Sequence, residues 1–391
     1  MSLDHWLESA REFWVEPYLG NPPDDPRYWC ALADLDRVRE LVMTPEPFGE
    51  NGWTPIHYLC FCKCDKKEPV EVLKYLLDIG ADPNAFYVHP CYPDSPLSIL
   101  YGVSGVLHVP EMTKVLLDAG ANPNDGESVY HSCEAVSEEC LRILLEGGAR
   151  VEKTNGIKHA SDFPNPKLIH LLVEYGADPN ENVGGEPIIH HVIRRYRDWD
   201  YLEPVFRQGV DTSKRSQEGY SVGRHLVRRG AVQTLANREV QLDMSEVTDH
   251  DRQMGRAMAG EAISPIAWSL LDQSLVPGLA QDGNLNRLKS AFASGCPVDA
   301  KAGWGETALH WAAWGGQLKC VQFLLDLGAD LNVQERNFKA TPIQWACHGG
   351  LNVARDRTNH VEVIKLLREA GAEMPAEWST GNSLIDAAMT A

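Results

Sequence analysis

Residues able to do chemistry are sparse in this chain. His57, Cys60, Cys62 and Cys64 stand together in the run HYLCFCKC, and soft thiolates beside an imidazole would suit zinc. Their spacing, Cys-x-Cys-x-Cys, fits none of the Cys-x2-Cys patterns of structural zinc sites, so no metal is expected there. Asp249-His250-Asp251 offers an acid/base group, yet no nucleophile or second constellation stands beside it, and it reads as the solvated start of a helix. The adjacent His190 and His191 read as structural. A phosphate loop, a dinucleotide glycine turn, a nucleophile elbow and a zinc-protease histidine pair are all missing at the required spacing. No catalytic residue and no cofactor is expected, and the chain reads as a non-enzyme.

One stretch gathers positive charge. Between Arg194 and Arg229 lie nine basic residues, Arg194, Arg195, Arg197, Arg207, Lys214, Arg215, Arg224, Arg228 and Arg229, against five acidic ones. Such a segment would suit a phosphate, a nucleic-acid strand or an acidic partner, with Tyr196 and Trp199 available for stacking. The competing reading is a solvated face that pairs with acidic neighbours. The chain as a whole runs the other way: 55 acidic residues against 36 basic ones give −19 over 391 residues, which disfavours generic binding to nucleic acid or anionic membranes and favours a basic partner. Residues 1–20 carry Asp4, Glu8, Arg11, Glu12 and Glu16 among their apolar residues, unlike a secretory signal. Ten cysteines are too few for a disulfide scaffold, so free thiols in the reducing cytoplasm are expected. No segment approaches 18 consecutive apolar residues, so no bilayer span is expected, and a monomer is favoured.

The elements that position these residues show themselves as an internal repeat. The phrase Leu-Leu-x-x-Gly-Ala-Asp/Asn-x-Asn stands at 76–84, 116–124 and 324–332, with a copy one residue longer at 171–180. Turn glycines at Gly80, Gly120, Gly148, Gly176, Gly209, Gly295, Gly328 and Gly371 are 40, 28, 28, 33, 86, 33 and 43 residues apart. A second phrase precedes the first: Thr54-Pro55-Ile56-His57, Ser95-Pro96-Leu97, Thr307-Ala308-Leu309-His310 and Thr341-Pro342-Ile343-Gln344. Thr or Ser caps free N–H groups at a helix start, and Pro fits the first turn because it has no N–H to leave unpaired. Glycine closes the second helix in a left-handed conformation. The apolar face between the two phrases, such as Val321 to Leu325, cannot be hidden by one unit alone, so the units stack.

Both phrases and the period near 33 residues resemble the ankyrin-repeat family. The resemblance implies an all-α solenoid of helix-turn-helix repeats with short hairpin loops, about nine of them across roughly residues 28 to 375. It divides the chain into an N-terminal helical cap (1–49), a first array (50–243, divergent between 127 and 243), a helical insertion (244–267), a second array (268–375) and a helical tail (376–391). Inside the 86-residue gap a worn copy is expected over 219–243, with Glu239 in place of the turn glycine. His57 and His310 become structural histidines of the repeat.

Family members generally bind partners along a concave face formed by hairpin tips and the exposed ends of first helices. Carried over to this chain, that face presents Trp53, Phe61, Tyr92, Lys301, Trp304, Glu306, Trp314, Phe338 and His348, with Arg194, Arg195 and Tyr196 as a basic supplement. Aromatics dominate the set, as they do binding hot spots. Trp304 and Trp314 are expected to make contact, and Trp311 and Trp345, which share one slot in the first helix, to pack. The function so implied is a non-enzymatic protein-protein interaction module. Three alternatives stand beside it: an immunity or inhibitor protein against a basic toxin or enzyme, a phosphate or nucleic-acid binder using 194–229, and an enzyme using 244–267.

Overall fold

Three of the helix pairs begin where a Thr side chain meets a residue three positions on. Thr307 precedes the helix Ala308–Trp314, and the Nδ1 of His310 lies 3.1 Å from the Thr307 N–H and 3.0 Å from its hydroxyl. With Nδ1 accepting, the other ring nitrogen carries the proton and reaches the carbonyl of Ala340 at 3.2 Å, in the next hairpin. One imidazole thus fixes a helix start and ties down a neighbouring repeat. Thr54 and His57 repeat the cap at Pro55–Phe61, and Thr341 uses the Gln344 amide oxygen instead.

Burial holds His310 down at about 4, from an ordinary 6.5. Below 6.5 the unfolded chain therefore binds a proton that the folded one refuses, so stability falls as pH drops toward 4. The expected loss from this group between pH 7 and pH 5 is about 2 kcal/mol. Urea unfolding at the two pH values checks this. A His310→Gln variant, which takes the solution found at Gln344, should show a flatter profile, and an equally steep one would remove the assignment.

The second helices bury a narrow apolar stripe. In Leu318–Asp326 the stripe is Cys320, Val321 and Leu324. Gly328 then turns the chain at φ +80°, with no neighbour crowding it, while the Ala329 N–H donates to the carbonyl of Leu324 at 3.0 Å. The same bond, five residues back, closes the helices before Gly80, Gly120, Gly148, Gly176 and Gly371.

The asparagine that ends each phrase links repeat to repeat. Asn84 donates to the carbonyl of Gly120 at 3.1 Å and accepts from the N–H of Asn122 at 2.8 Å. Asn124 does the same one repeat on, with Gly148 at 3.3 Å and Arg150 at 2.9 Å. Asn180 donates to Gly209, and Asn332 accepts from Glu373. Replacing Asn124 by Ala removes two inter-repeat bonds, and a loss of about 1–2 kcal/mol is expected in chemical denaturation. An unchanged midpoint would show that water replaces the link at no cost.

The computed structural model describes residues 2–12, 24–48, 52–89, 93–135, 137–163, 165–181, 185–195, 199–231, 238, 240–281, 283–352, 358–373 and 383–390. They form two compact units, Met1–Ile188 with Glu203–Gly209, and Ile189–Leu202 with Val210–Ala391. The first unit begins with Leu3–Glu12, Pro26–Leu32 started by Asp25, and Leu35–Leu41 started by Asp34. Helix pairs follow at Pro55–Phe61 with Pro69–Asp78, Ile99–Tyr101 and its continuation Gly102–Val106 with Pro110–Asp118, Ser128–Ser132 with Glu139–Glu146, and Gly156–Ala160 with Pro166–Glu174. Between the first two pairs stands a longer finger, strands Phe86–Val88 and Pro96–Ser98, antiparallel with Tyr87 opposite Leu97.

In the second unit, Ala308–Trp314 with Leu318–Asp326 and Pro342–Asn352 with Thr358–Glu369 form regular pairs, and Ser383–Thr390 packs on Thr358–Glu369. Gly349 sits so close to the preceding first helix that a Cβ there would lie 2.2 Å from the carbonyl of Trp314. Within the 86-residue gap Gly230 (φ +67°) follows Val222–Arg228 and Gly260 (φ +92°) follows Asp249–Met258, while Glu239, the expected turn position of the worn copy, lies outside the described residues. Residues 244–267 hold one described helix, Asp249–Met258, packed on Val222–Arg228 and Leu285–Ala293.

Candidate functional site

Two hairpin tips of the second unit stand out by their aromatic residues. Trp304 is 53% exposed and Phe338 78% exposed. Each precedes its cap threonine, Thr307 or Thr341, by three residues, so both occupy one slot of consecutive repeats. Carboxylates hold the loops beneath them. Glu335 is buried and accepts from the backbone N–H of Asn337 at 2.6 Å, Phe338 at 2.8 Å and Ala340 at 3.1 Å. Glu306 accepts from the Trp304 N–H at 2.7 Å, and the Arg336 N–H donates to the carbonyl of Trp304 at 2.7 Å, joining the two tips. The exposed rings therefore sit on a braced backbone. Lys301 and His348 are also exposed.

The structure corrects several of the expected contact residues. Glu306 is not exposed: its carboxylate turns into its own hairpin, where burial raises it above the usual carboxylate range. Trp53 and Phe61 are 2% and 3% exposed and belong to the core. Tyr87 of the long finger closes over them with ring centroids at 5.1 and 4.8 Å. Trp314 is half-buried, beside His348 at 5.0 Å and Trp345 at 5.9 Å. Trp311 and Trp345 pack edge to face at 5.2 Å, as the repeat register implied. Tyr92 and Tyr196 lie outside the described residues.

The basic stretch is largely neutralised. Arg194 pairs with Glu218 at 2.8 Å, Arg207 with Glu203 at 3.5 Å and Lys214 with Asp211 at 3.8 Å. Arg215 pairs with Glu246, Arg224 with Asp251 at 2.9 Å, and Arg228 with both Asp251 and Asp272. Arg195 is half-buried. Three of those acidic partners, Glu246, Asp251 and Asp272, come from beyond the basic run. Asp251, offered above as a possible acid, is the buried partner of a helix start. Burial pushes its carboxyl up, but the bonds from Thr248, Arg228 and Arg224 hold it down at about 2. Its neighbour His250 lies 3.1 Å from Asp272.

The candidate thiols are sealed. Cys60, Cys62 and Cys64 are buried, burial pushes the Cys60 thiol up to about 12, and Cys64 donates to the carbonyl of Ala31 at 3.2 Å. His190 is likewise internal, 2.9 Å from both His225 and the Lys214 carbonyl.

A cluster absent from the sequence reading lies in the first unit. His131, Glu134 and His159 bring three donor atoms within 4.8 Å of one another. Burial alone would raise the Glu134 carboxyl, yet hydrogen bonds from His131 and His159 hold it at about 2. Its signal was present: the step from His131 to His159 is 28 residues, equal to the steps from Gly120 to Gly148 and from Gly148 to Gly176.

Comparison with known proteins finds the same repeats. Ankyrin repeats match residues 279–377 as three copies and residues 51–86 as one. A palmitoyltransferase AKR1 of Eremothecium gossypii is 36% identical over 66 residues, 16% of this chain and 9% of that protein. Its namesake in Lachancea kluyveri is 28% identical over 109 residues, 27% of this chain and 13% of that protein. Palmitoyltransferase Hip14 of Drosophila melanogaster is 29% identical over 105 residues, 27% and 15% of the two chains. The chain thus spans a small part of these relatives' length. Among the described residues no helix is long and apolar enough to cross a membrane.

Proposed function

We propose, from the premise that this chain carries ankyrin repeats, that it is a non-enzymatic module recognising another protein through the hairpin tips at 301–306 and 335–340. The observation that carries the reading is the pair Trp304 and Phe338, two exposed rings in one slot of adjacent repeats on loops braced by buried Glu306 and Glu335. Large rings held rigidly at the surface are the anchors of protein interfaces, because they contribute contact area without a large loss of conformational freedom on binding. Lys301, Trp314 and His348 extend the surface on the same two repeats.

A basic partner fits the charge. At −19 the chain draws opposite charge and speeds encounter. The ion pairs of 194–229 favour this over a polyanion, since most of that segment's positive charge is already spent on Glu203, Asp211, Glu218, Glu246, Asp251 and Asp272. The palmitoyltransferases match over at most 15% of their own length, so the proposal takes from them the repeats and not the acyl transfer in their name. The described cysteines are buried, and the proposal places the chain in a reducing compartment. Comparing partner binding by the intact chain and by a Trp304→Ala/Phe338→Ala variant tests the site.

A further inference from the structure

We propose that His131, Glu134 and His159 form a binding site for one divalent transition-metal ion of the zinc class. The two histidines stand on the first helices of consecutive repeats, Ser128–Ser132 and Gly156–Ala160, at equivalent positions. Both aim a ring nitrogen at one carboxylate oxygen: His131 Nδ1 is 2.7 Å and His159 Nε2 3.0 Å from Glu134 Oε1. Two imidazoles and a carboxylate make the three-ligand set of open zinc sites and of facial-triad metals. With bonds of about 2.0–2.1 Å an ion needs its donors only slightly further apart than these hydrogen bonds hold them, so it takes the place of the shared protons after small side-chain shifts.

The surroundings of the ligands support the same reading independently. The second ring nitrogen of His131 meets a further carboxylate, 3.3 Å from Glu127, while Asp162 lies 3.9 Å from His159 Nδ1, outside hydrogen-bond reach. At His131 this is the outer-shell pattern that fixes tautomer and ring orientation at histidine metal sites. Packing locks the rings as well: Tyr130 stacks on His159 at 3.7 Å and 9°, and Tyr101 lies 5.0 Å from His131. Gly105 is what admits His131, since a Cβ there would fall 2.6 Å from the histidine Cβ. The His131 and Glu134 side chains keep 27% and 33% of their surface exposed, which leaves the remaining coordination positions open to water.

The test is calorimetric titration of the chelator-treated full chain with Zn²⁺ alone, paired with the absorption spectrum of the Co²⁺-loaded protein. One ion per chain is expected, without the thiolate charge-transfer band that cysteine ligation gives. Loss of a ligand in His159→Gln or Glu134→Gln should weaken binding by about 100-fold or more, and Glu127→Gln, which leaves all three ligands in place, by about 10-fold. Circular dichroism identifies a variant that fails to fold, in which case the cobalt spectrum and Glu127→Gln carry the decision. No stoichiometric binding, a thiolate band, or affinity unchanged in these variants would overturn the assignment.

Discussion

Arg228→Ala is expected to destabilise the second unit by about 3–5 kcal/mol. Arg228 is 2% exposed and holds two buried carboxylates at once, Asp251 and Asp272, while its guanidinium lies 4.7 Å from the centre of the Tyr220 ring. Removing it leaves two negative charges in surroundings too dry to solvate them, and each must either take up a proton or draw water into the packing. Asp251 keeps Arg224 and the Thr248 cap, so Asp272, whose carboxylate is left with His250 and the Ser269 N–H, is the more exposed to the loss. Urea unfolding gives the total, and hydrogen exchange of peptides from 222–280 shows whether opening is local to the helices Val222–Arg228, Asp249–Met258 and Leu270–Gln273 that carry these residues. A double variant, Arg228→Met with Asp251→Asn, should recover part of the loss, because it removes charges together. A single-variant loss below about 1 kcal/mol would mean that the network is solvated, contrary to the burial found here.

The second large effect concerns binding. Trp304→Ala/Phe338→Ala is expected to weaken partner affinity by about 100-fold or more, since each anchor of this kind contributes about 2 kcal/mol or above. Stability should stay within about 0.5 kcal/mol of the parent, because both rings are exposed and the braces beneath them, Glu306 and Glu335, are untouched. Lys301→Ala should act mainly on the association rate and more at low salt, as expected for an exposed charge at the rim. Equal affinity of parent and double variant for an identified partner would place the contact elsewhere on the chain.

The repeats were legible because stacking imposes local demands that leave fixed residues behind. A second helix must end in a left-handed residue, hence Gly80 and Gly328; a first helix must be capped, hence Thr307 with His310. Trp311 and Trp345 were readable as packing from their shared slot. Trp53 and Phe61 were not, because what covers them is Tyr87, on a finger whose length follows from the 40-residue step between Gly80 and Gly120. Glu306 looked like a surface acid and serves as the internal brace of its hairpin. That the basic run pairs with acidic neighbours was readable, but three of the partners were not: Glu246, Asp251 and Asp272 come later in the chain, and only folding sets them against Arg215, Arg224 and Arg228. The His131, Glu134 and His159 cluster follows no motif spacing. It arises because a 28-residue step carries one histidine slot onto the next repeat.

Quantitative affinity capture from the native source, run in parallel with the intact chain and with Trp304→Ala/Phe338→Ala, reaches the core of this reading. A specific protein retained by the intact chain and lost with the double variant is the predicted result. The same proteins retained by both chains, or none retained by the intact one, would contradict it.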